Sequence, residues 1–155
     1  YIRLADMLSL IKNNRHKYHN IILDSIKDNL YRKERYQLDF ALAIATCDAD
    51  ICMHDFANKI RSTDKFIVLE DHISCVLLDG ISADTAIKAT SNLQTIFQGQ
   101  HFGEKLFISL VSSTDNNYDN DGYKMINSLL DVLEYSIFNN MDHEIVDYNQ
   151  MENYK

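Results

Sequence analysis

The sequence has no proline and no tryptophan, and it contains only four glycines and three cysteines. Such a composition excludes collagen-like and low-complexity chains, and 46% hydrophobic with 25% charged residues is typical of a globular domain. An odd number of cysteines without a CxxC pair argues against a disulfide framework, and it favours reduced, buried thiols in a cytoplasmic protein. No apolar run reaches the length of a membrane span, and no signal peptide is recognisable.

Basic residues are also scarce. The 15 Lys and Arg against 23 Asp and Glu give a formal net charge of −8. This balance argues against non-specific nucleic-acid binding, which needs a basic surface, and it disfavours an anionic membrane surface as a partner. The first residue is Tyr1 rather than Met. We therefore expect an internal or C-terminal fragment of a longer protein, in which a sensor or membrane domain lies upstream.

The glycines lie where the apolar periodicity stops, at Gly80, Gly99, Gly103 and Gly122. They are therefore expected to separate elements rather than to cradle a ligand. No linker, repeat or low-complexity stretch divides the chain, and 155 residues suit one ordinary domain. The expectation is a single domain over residues 1–155, with residues 1–12 as the end of a lead or linker helix.

The hydrophobic pattern predicts alternating helices and strands. Apolar residues recur at three- to four-residue steps through the first third, and the polar patch 12–15 divides this part into a short lead helix and a longer one. The apolar run 40–45 predicts a strand buried on both faces. The remaining predictions are a short helix at 55–60, a hairpin of 66–69 and 73–78, a helix at 83–97, a strand at 106–111, a helix at 123–139 and a strand at 143–148.

Within the helix predicted at 83–97, Ser82 is the expected N-cap and Gly99 lies just past the expected end. Its predicted buried stripe is Ala86, Ile87, Ala89, Leu93, Ile96 and Phe97. Strands interleaved with helices indicate an α/β (α+β) fold. The specific prediction is a central β-sheet of the ferredoxin-like kind, layered by helices and preceded by the lead helix.

Several motifs in this order resemble those of the GGDEF (diguanylate cyclase) domain. Residues 6–15 (DMLSLIKNNR) are similar to the family's opening D-x-L-T-G-L-x-N-R signature, with one residue more. Arg61 and Asp64 match the family's R-x-x-D motif. Asp131 and Tyr135 match its A-D-x-A-L-Y helix, and the chain closes on a strand as the family does. The resemblance spans nearly the whole chain and implies the nucleotidyl-cyclase type of sheet.

The family's signature loop begins six residues after the Asp of R-x-x-D. That place is occupied here by Glu70, Asp71, His72, Ile73 and Ser74. Paired glycines let a nucleotide approach the backbone because they lack a Cβ, but Glu70 and Asp71 stand at these positions. Ile73 stands at the acidic position, where the family needs a carboxylate for a divalent cation. The expectation is a degenerate domain without catalytic residues, metal or cofactor.

A second departure lies between the first strand and the R-x-x-D motif. Only residues 48–60 stand in this interval, too few for the two helices that the family has there. Asp48 and Asp50 are either a remnant of the family's D-x-D pair or two solvated loop residues. No Lys and Asn-Asp follow at the family's spacing to bind phosphate and guanine.

The resemblance makes Arg61 and Asp64 the candidate ligand site. In active family members R-x-x-D is an inhibitory site for cyclic di-GMP. An arginine can donate two hydrogen bonds to the O6 and N7 atoms of guanine, while a carboxylate accepts from its N–H groups. The alternative is that the two residues only pair or cap a helix end. A second basic group would come from Arg35, Lys59 or Lys65.

A weaker metal-binding pattern is formed by His16, His19 and Asp24, which we expect to be a solvated polar helix face instead. Three classes of function remain. The first is a non-catalytic signalling or interaction module, which could form a homodimer through the lead helix. The second, compatible with the first, is a cyclic di-GMP receptor. The third, an enzyme of another kind, has no supporting nucleophile–base pair, phosphate loop or metal motif.

Overall fold

The computed structural model describes residues 3–48, 63–101, 103–115, 118, 120–142 and 144–153. The first part of the chain forms helices α1 (Leu4–Asn13) and α2 (Arg15–Tyr36) and strand β1 (Phe40–Cys47). The second part forms β2 (Lys65–Glu70), β3 (Ile73–Asp79), α3 (Ala83–Gln100), β4 (Leu106–Ser112), α4 (Gly122–Phe138), β5 (Ile145–Val146) and α5 (Tyr148–Asn153). The helix predicted at 55–60 lies outside the described residues. No helix within the described part is both long and apolar enough to cross a membrane.

The strands form one mixed sheet in the order β2-β3-β1-β4-β5. Strand β1 lies at its centre and pairs antiparallel with β3 and with β4, so that Ala43 lies between Val76 and Leu110. The β2–β3 pair is antiparallel, with a register shift between Val68 and Glu70, and β4 and β5 are parallel. The α/β (α+β) sheet layered by helices, with an N-terminal helix, is confirmed.

The side chains of β1 point alternately to the two faces of the sheet, so they contribute to two separate layers of the core. Phe40, Leu42 and Ile44 face a large cluster built with α1, α2 and α4. Ala41 and Ala43 face a smaller cluster that α3 covers. The unbroken apolar run at the start of β1 is thus explained by burial on both faces.

The helix boundaries have local causes. Asn14 separates α1 from α2, inside the polar patch that predicted a break. The Ser82 hydroxyl accepts a hydrogen bond from the Thr85 backbone N–H, which confirms the predicted N-cap of α3. The Asp121 carboxylate accepts from the backbone N–H groups of Tyr123 and Lys124 and so caps α4.

The predictions for α3 were wrong at two positions. The helix continues to Gln100, so Gly99 lies inside it and does not end it. Ile87 was predicted to be buried but is 42% exposed, while Thr90 is buried and donates its hydroxyl to the Ala86 carbonyl. A threonine that satisfies its hydroxyl within the helix can take a core position, and this rotates the buried stripe away from Ile87.

The last strand is shorter than predicted. Only Ile145 and Val146 pair with β4, and the chain turns into α5 at Tyr148. The Asp147 carboxylate accepts from the Gln150 backbone N–H, and the Gln150 side chain accepts from the Asp147 backbone N–H. This reciprocal capping box begins a helix where the sequence pattern predicted continued strand.

Two of the three cysteines fall within the described residues, and both are buried. Cys47 and Cys75 lie in β1 and β3, and burial raises the pKa of the Cys75 thiol to about 12. The predicted burial is confirmed for these two, their reduced state stays a prediction, and Cys52 lies outside the described residues.

Candidate functional site

The R-x-x-D pair is only half described. Asp64 is half-buried and lies directly before β2. Arg61 lies outside the described residues, as do Lys59 and Asp50. The pairing of Arg61 with Asp64, and the binding site that it implies, therefore stay predictions.

The five signature-loop positions form the hairpin between β2 and β3. Glu70 ends β2, Asp71 and His72 make the turn, and Ile73 and Ser74 begin β3. Asp71 is exposed, whereas Ile73 is 0% exposed and Ser74 is buried. Ile73 and Ser74 therefore belong to the interior, whereas Asp71 in the turn faces solvent.

Glu70 ties this hairpin to helix α2. Its Oε1 atom accepts hydrogen bonds from Lys17 Nζ and from the Tyr18 hydroxyl, each at 3.1 Å. Tyr18 is 0% exposed. Burial, followed by the charge of Glu70 and the hydrogen bond to it, raises the pKa of the Tyr18 phenol well above its ordinary value. The phenol thus stays a protonated donor at neutral pH. We call these three residues the hairpin clamp.

Ile73 belongs to the large core cluster and not to a polar site. It lies opposite Thr46 of β1 in the register of the sheet and packs in the cluster that includes Leu42 and Ile44. An alkyl side chain offers no oxygen ligand to a hard cation. Within the described part of the chain, no three His, Cys, Asp or Glu side chains are grouped to hold a metal ion.

Asp48 has a structural role at the end of β1. Its Oδ1 atom accepts a hydrogen bond from the Lys105 backbone N–H at 2.8 Å, and its own backbone N–H donates to the Lys105 carbonyl at 3.1 Å. These bonds tie the end of β1 to the chain just before β4. Asp48 is half-buried, and Asp50 lies outside the described residues, so both interpretations of this pair stay predictions.

Two motifs that are far apart in sequence meet at Arg15. Its Nη2 atom lies 2.7 Å from Asp131 Oδ1 and donates to the Asn127 carbonyl at 2.9 Å, and its Nη1 atom lies 3.6 Å from Glu134 Oε1. The end of the opening signature is therefore fixed to the acid of the A-D-x-A-L-Y-like helix. Burial raises the pKa of Glu134, and the charge of Arg15 opposes this shift.

The predicted solvated face of α2 is wrong for His19. His16 and Asp24 are exposed, but His19 is 6% exposed because the first turn of α4 packs against it. The Tyr123 ring lies 4.5 Å from the imidazole, centre to centre, at an angle of 54°. Burial lowers the pKa of His19. The backbone of Tyr123 opposes this shift, and the charges of Arg15 and His16 add to it.

We predict that His19 makes the fold sensitive to acid. Its native pKa lies below the ordinary value of 6.5, so below pH 6.5 the unfolded chain binds a proton that the native protein does not. The free energy of unfolding should therefore fall as the pH drops from 6.5 to the native pKa, and then level off. Urea unfolding of the protein and of His19→Gln across this range measures the difference. Glu134 titrates in both proteins, so its opposite contribution cancels.

His16→Gln, an exposed change on the same helix, is the matched control and should retain most of the acid sensitivity, because burial of His19 outweighs the charge of His16. An equal pH dependence in the protein and in His19→Gln would contradict the assignment.

No protein-family model and no curated protein matches the chain. Solved structures do match, among them two GGDEF domains and one diguanylate cyclase. The GGDEF domain of YfiN (TpbB) from Pseudomonas aeruginosa superposes with a TM-score of 0.65 at 11% identity, covering 90% of this chain and 92% of that one. The GGDEF domain of DgcB from Caulobacter crescentus, in complex with cyclic di-GMP, gives 0.58 at 6% identity, covering 83% and 86%.

The third is the diguanylate cyclase SiaD from Pseudomonas aeruginosa in complex with its activator SiaC. It gives a TM-score of 0.56 at 11% identity and covers 83% of this chain and 57% of that one. The chain therefore has a GGDEF-like fold, as the motif resemblance predicted. At these identities the likeness concerns the fold alone.

Proposed function

We propose that this chain is a non-catalytic signalling domain with a GGDEF-like fold that binds cyclic di-GMP at Arg61 and Asp64. The observation that carries the proposal is the state of the β2–β3 hairpin. The residue at the acidic position, Ile73, is buried in the core. The residue at the first glycine position, Glu70, is engaged with α2.

The loss of catalysis follows from what the reaction needs. Joining two nucleoside triphosphates requires a cation that neutralises the developing phosphate charge. Asp48 already gives one carboxylate oxygen to the Lys105 N–H, and Ile73 gives none. Glu70 also adds a side chain and a negative charge where a nucleotide would approach the backbone. Together, these features disfavour the binding of both the nucleotide substrate and the metal ion.

Support for the receptor comes from chemistry at the start of β2. Asp64 is half-buried there, three residues after Arg61 in sequence. An arginine fork and a carboxylate together match the edge of guanine. The structurally similar DgcB domain was solved with cyclic di-GMP bound. The R-x-x-D motif and the GGDEF-like fold are therefore the two grounds for proposing cyclic di-GMP as the ligand.

We predict micromolar cyclic di-GMP binding that Arg61→Ala weakens at least about tenfold, the effect of losing one charge-assisted bidentate contact. Calorimetric titration of both proteins measures it. Arg3→Ala, which removes an exposed arginine near the first helix, is the matched control and should bind normally. Absence of heat with the folded wild-type protein, or equal binding by Arg61→Ala, would contradict the receptor proposal.

The catalytic half of the proposal is tested separately with GTP and Mg²⁺. No cyclic di-GMP should form above the rate without protein. Product formation by the purified chain would overturn it, whatever the result of the titration.

A second candidate is a protein-interaction module without nucleotide binding. Phe138, at the end of α4, is 79% exposed and lies beside a groove of about 300 Å³ that Leu8, Tyr135 and Met151 also line. An exposed aromatic residue at a groove is a common feature of protein contacts. The titration decides between the candidates, because this module would bind its partner without responding to cyclic di-GMP.

A further inference from the structure

A pocket of about 440 Å³ opens where the end of α1, the first turns of α2 and the first turns of α4 meet. Its basic side chains are Lys12, Arg15, His16 and His19. Its volume falls within the range of small-molecule sites. None of its lining residues belongs to the hairpin clamp or to the R-x-x-D motif.

The charge of this lining is opposite to that of the chain. Asp and Glu outnumber Lys and Arg by 23 to 15 in the sequence, yet none of the described carboxylates lines the pocket. The remaining lining residues are three asparagines, Leu23 and Tyr123. The acidic partners of Arg15, Asp131 and Glu134, lie outside this lining. A concave site lined by one sign of charge concentrates the opposite ion.

His19 provides an independent indication of a ligand. It is 6% exposed, and its Nε2 atom has no hydrogen-bond partner among the described residues. A buried polar atom left unpaired is unfavourable, so an unpaired one in a pocket wall needs an explanation. The Tyr123 ring covers the imidazole and is itself 61% exposed. A shift of this one surface ring would open Nε2 to the pocket.

We propose that this pocket binds a small phosphorylated ligand that carries a planar ring. Lys12 and His16 meet the phosphoryl oxygens, since both are exposed at the pocket. Lys12 also lies close enough to Glu134, outside this lining, for the two charges to interact. Arg15 fixes one wall of the pocket through its hydrogen bond to Asn127 and its ion pair with Asp131, both in α4. The ring of the ligand packs on Tyr123, displacing it from His19 and giving Nε2 its missing partner.

Adenosine monophosphate and inorganic phosphate are suitable probes, because adenine lacks the O6 acceptor that defines a guanine site. NMR titration of the full chain, following the His19 imidazole signals, should show saturable shifts with adenosine monophosphate and weaker binding of phosphate. The variant Lys12→Ala/His16→Ala should weaken the nucleotide about tenfold. Lys27→Ala, an exposed change further along α2, should not.

The outcomes separate the parts of the proposal. Equal affinity for phosphate and nucleotide would contradict ring recognition by Tyr123. No binding of either probe, or binding that the double variant leaves unchanged, would overturn the site. Arg61→Ala should bind adenosine monophosphate normally, so failure of the cyclic di-GMP receptor and failure of this pocket give different results.

Discussion

Ile73→Glu places a carboxylate at the position that the motif resemblance matches to the family's acidic residue, and we expect it to destabilise the fold instead of creating a metal site. Ile73 is 0% exposed at the start of β3, between Thr46 and Glu70 in the sheet register. A carboxylate there would be buried without a partner and close to the charge of Glu70. Burying an unpaired ionisable group typically costs about 3 kcal/mol or more in the free energy of unfolding.

Urea unfolding of the protein, Ile73→Glu and Ile73→Val provides the measurement. The valine variant keeps an alkyl side chain and should lose only about 1 kcal/mol, which separates loss of packing from burial of charge. The result would contradict the assignment if Ile73→Glu were as stable as Ile73→Val, or if Mg²⁺ restored its stability. On the proposed function, this carboxylate alone should therefore not give the chain catalytic activity.

The elements of the fold that could be predicted are those whose signal is local. The continuous apolar run of β1 and the polar patch between α1 and α2 both predicted what the structure has. Helix α5 was missed although a signal was present, because Asp147 and Gln150 have the spacing of a capping box. The strand was predicted over residues 143–148, whereas only Ile145 and Val146 form it and the helix begins at Tyr148.

The candidate site was less predictable because its contacts join distant parts of the chain. Glu70 was recognised as a departure at a glycine position, but its partners lie more than 50 residues earlier. The burial of His19 depends on the docking of α4 over α2, and the pattern of α2 alone made it a solvated residue. The spacing of motifs drew attention to Glu70 and His19, but the contacts of their side chains depend on tertiary packing.

The hairpin clamp should contribute to stability mainly through the buried phenol. Glu70→Ala removes the acceptor of the Tyr18 hydroxyl, and leaving such a donor unpaired costs about 1–3 kcal/mol in the free energy of unfolding. Lys17→Ala should cost less than about 1 kcal/mol, because Lys17 is exposed and exposed ion pairs are weak. In a Tyr18→Phe background the donor is absent, so Glu70→Ala should then cost little.

Urea unfolding of the protein, of Tyr18→Phe, of Glu70→Ala and of the variant that combines these two changes gives the coupling energy between Tyr18 and Glu70. A value near zero would show that the 3.1 Å contact contributes nothing. A coupling of about 1 kcal/mol or more would mean that the hairpin is held against α2 by a side chain at the position of the first glycine. Glu70, which on the proposed function obstructs nucleotide binding, would then also stabilise the fold, so Glu70→Gly should lower the free energy of unfolding.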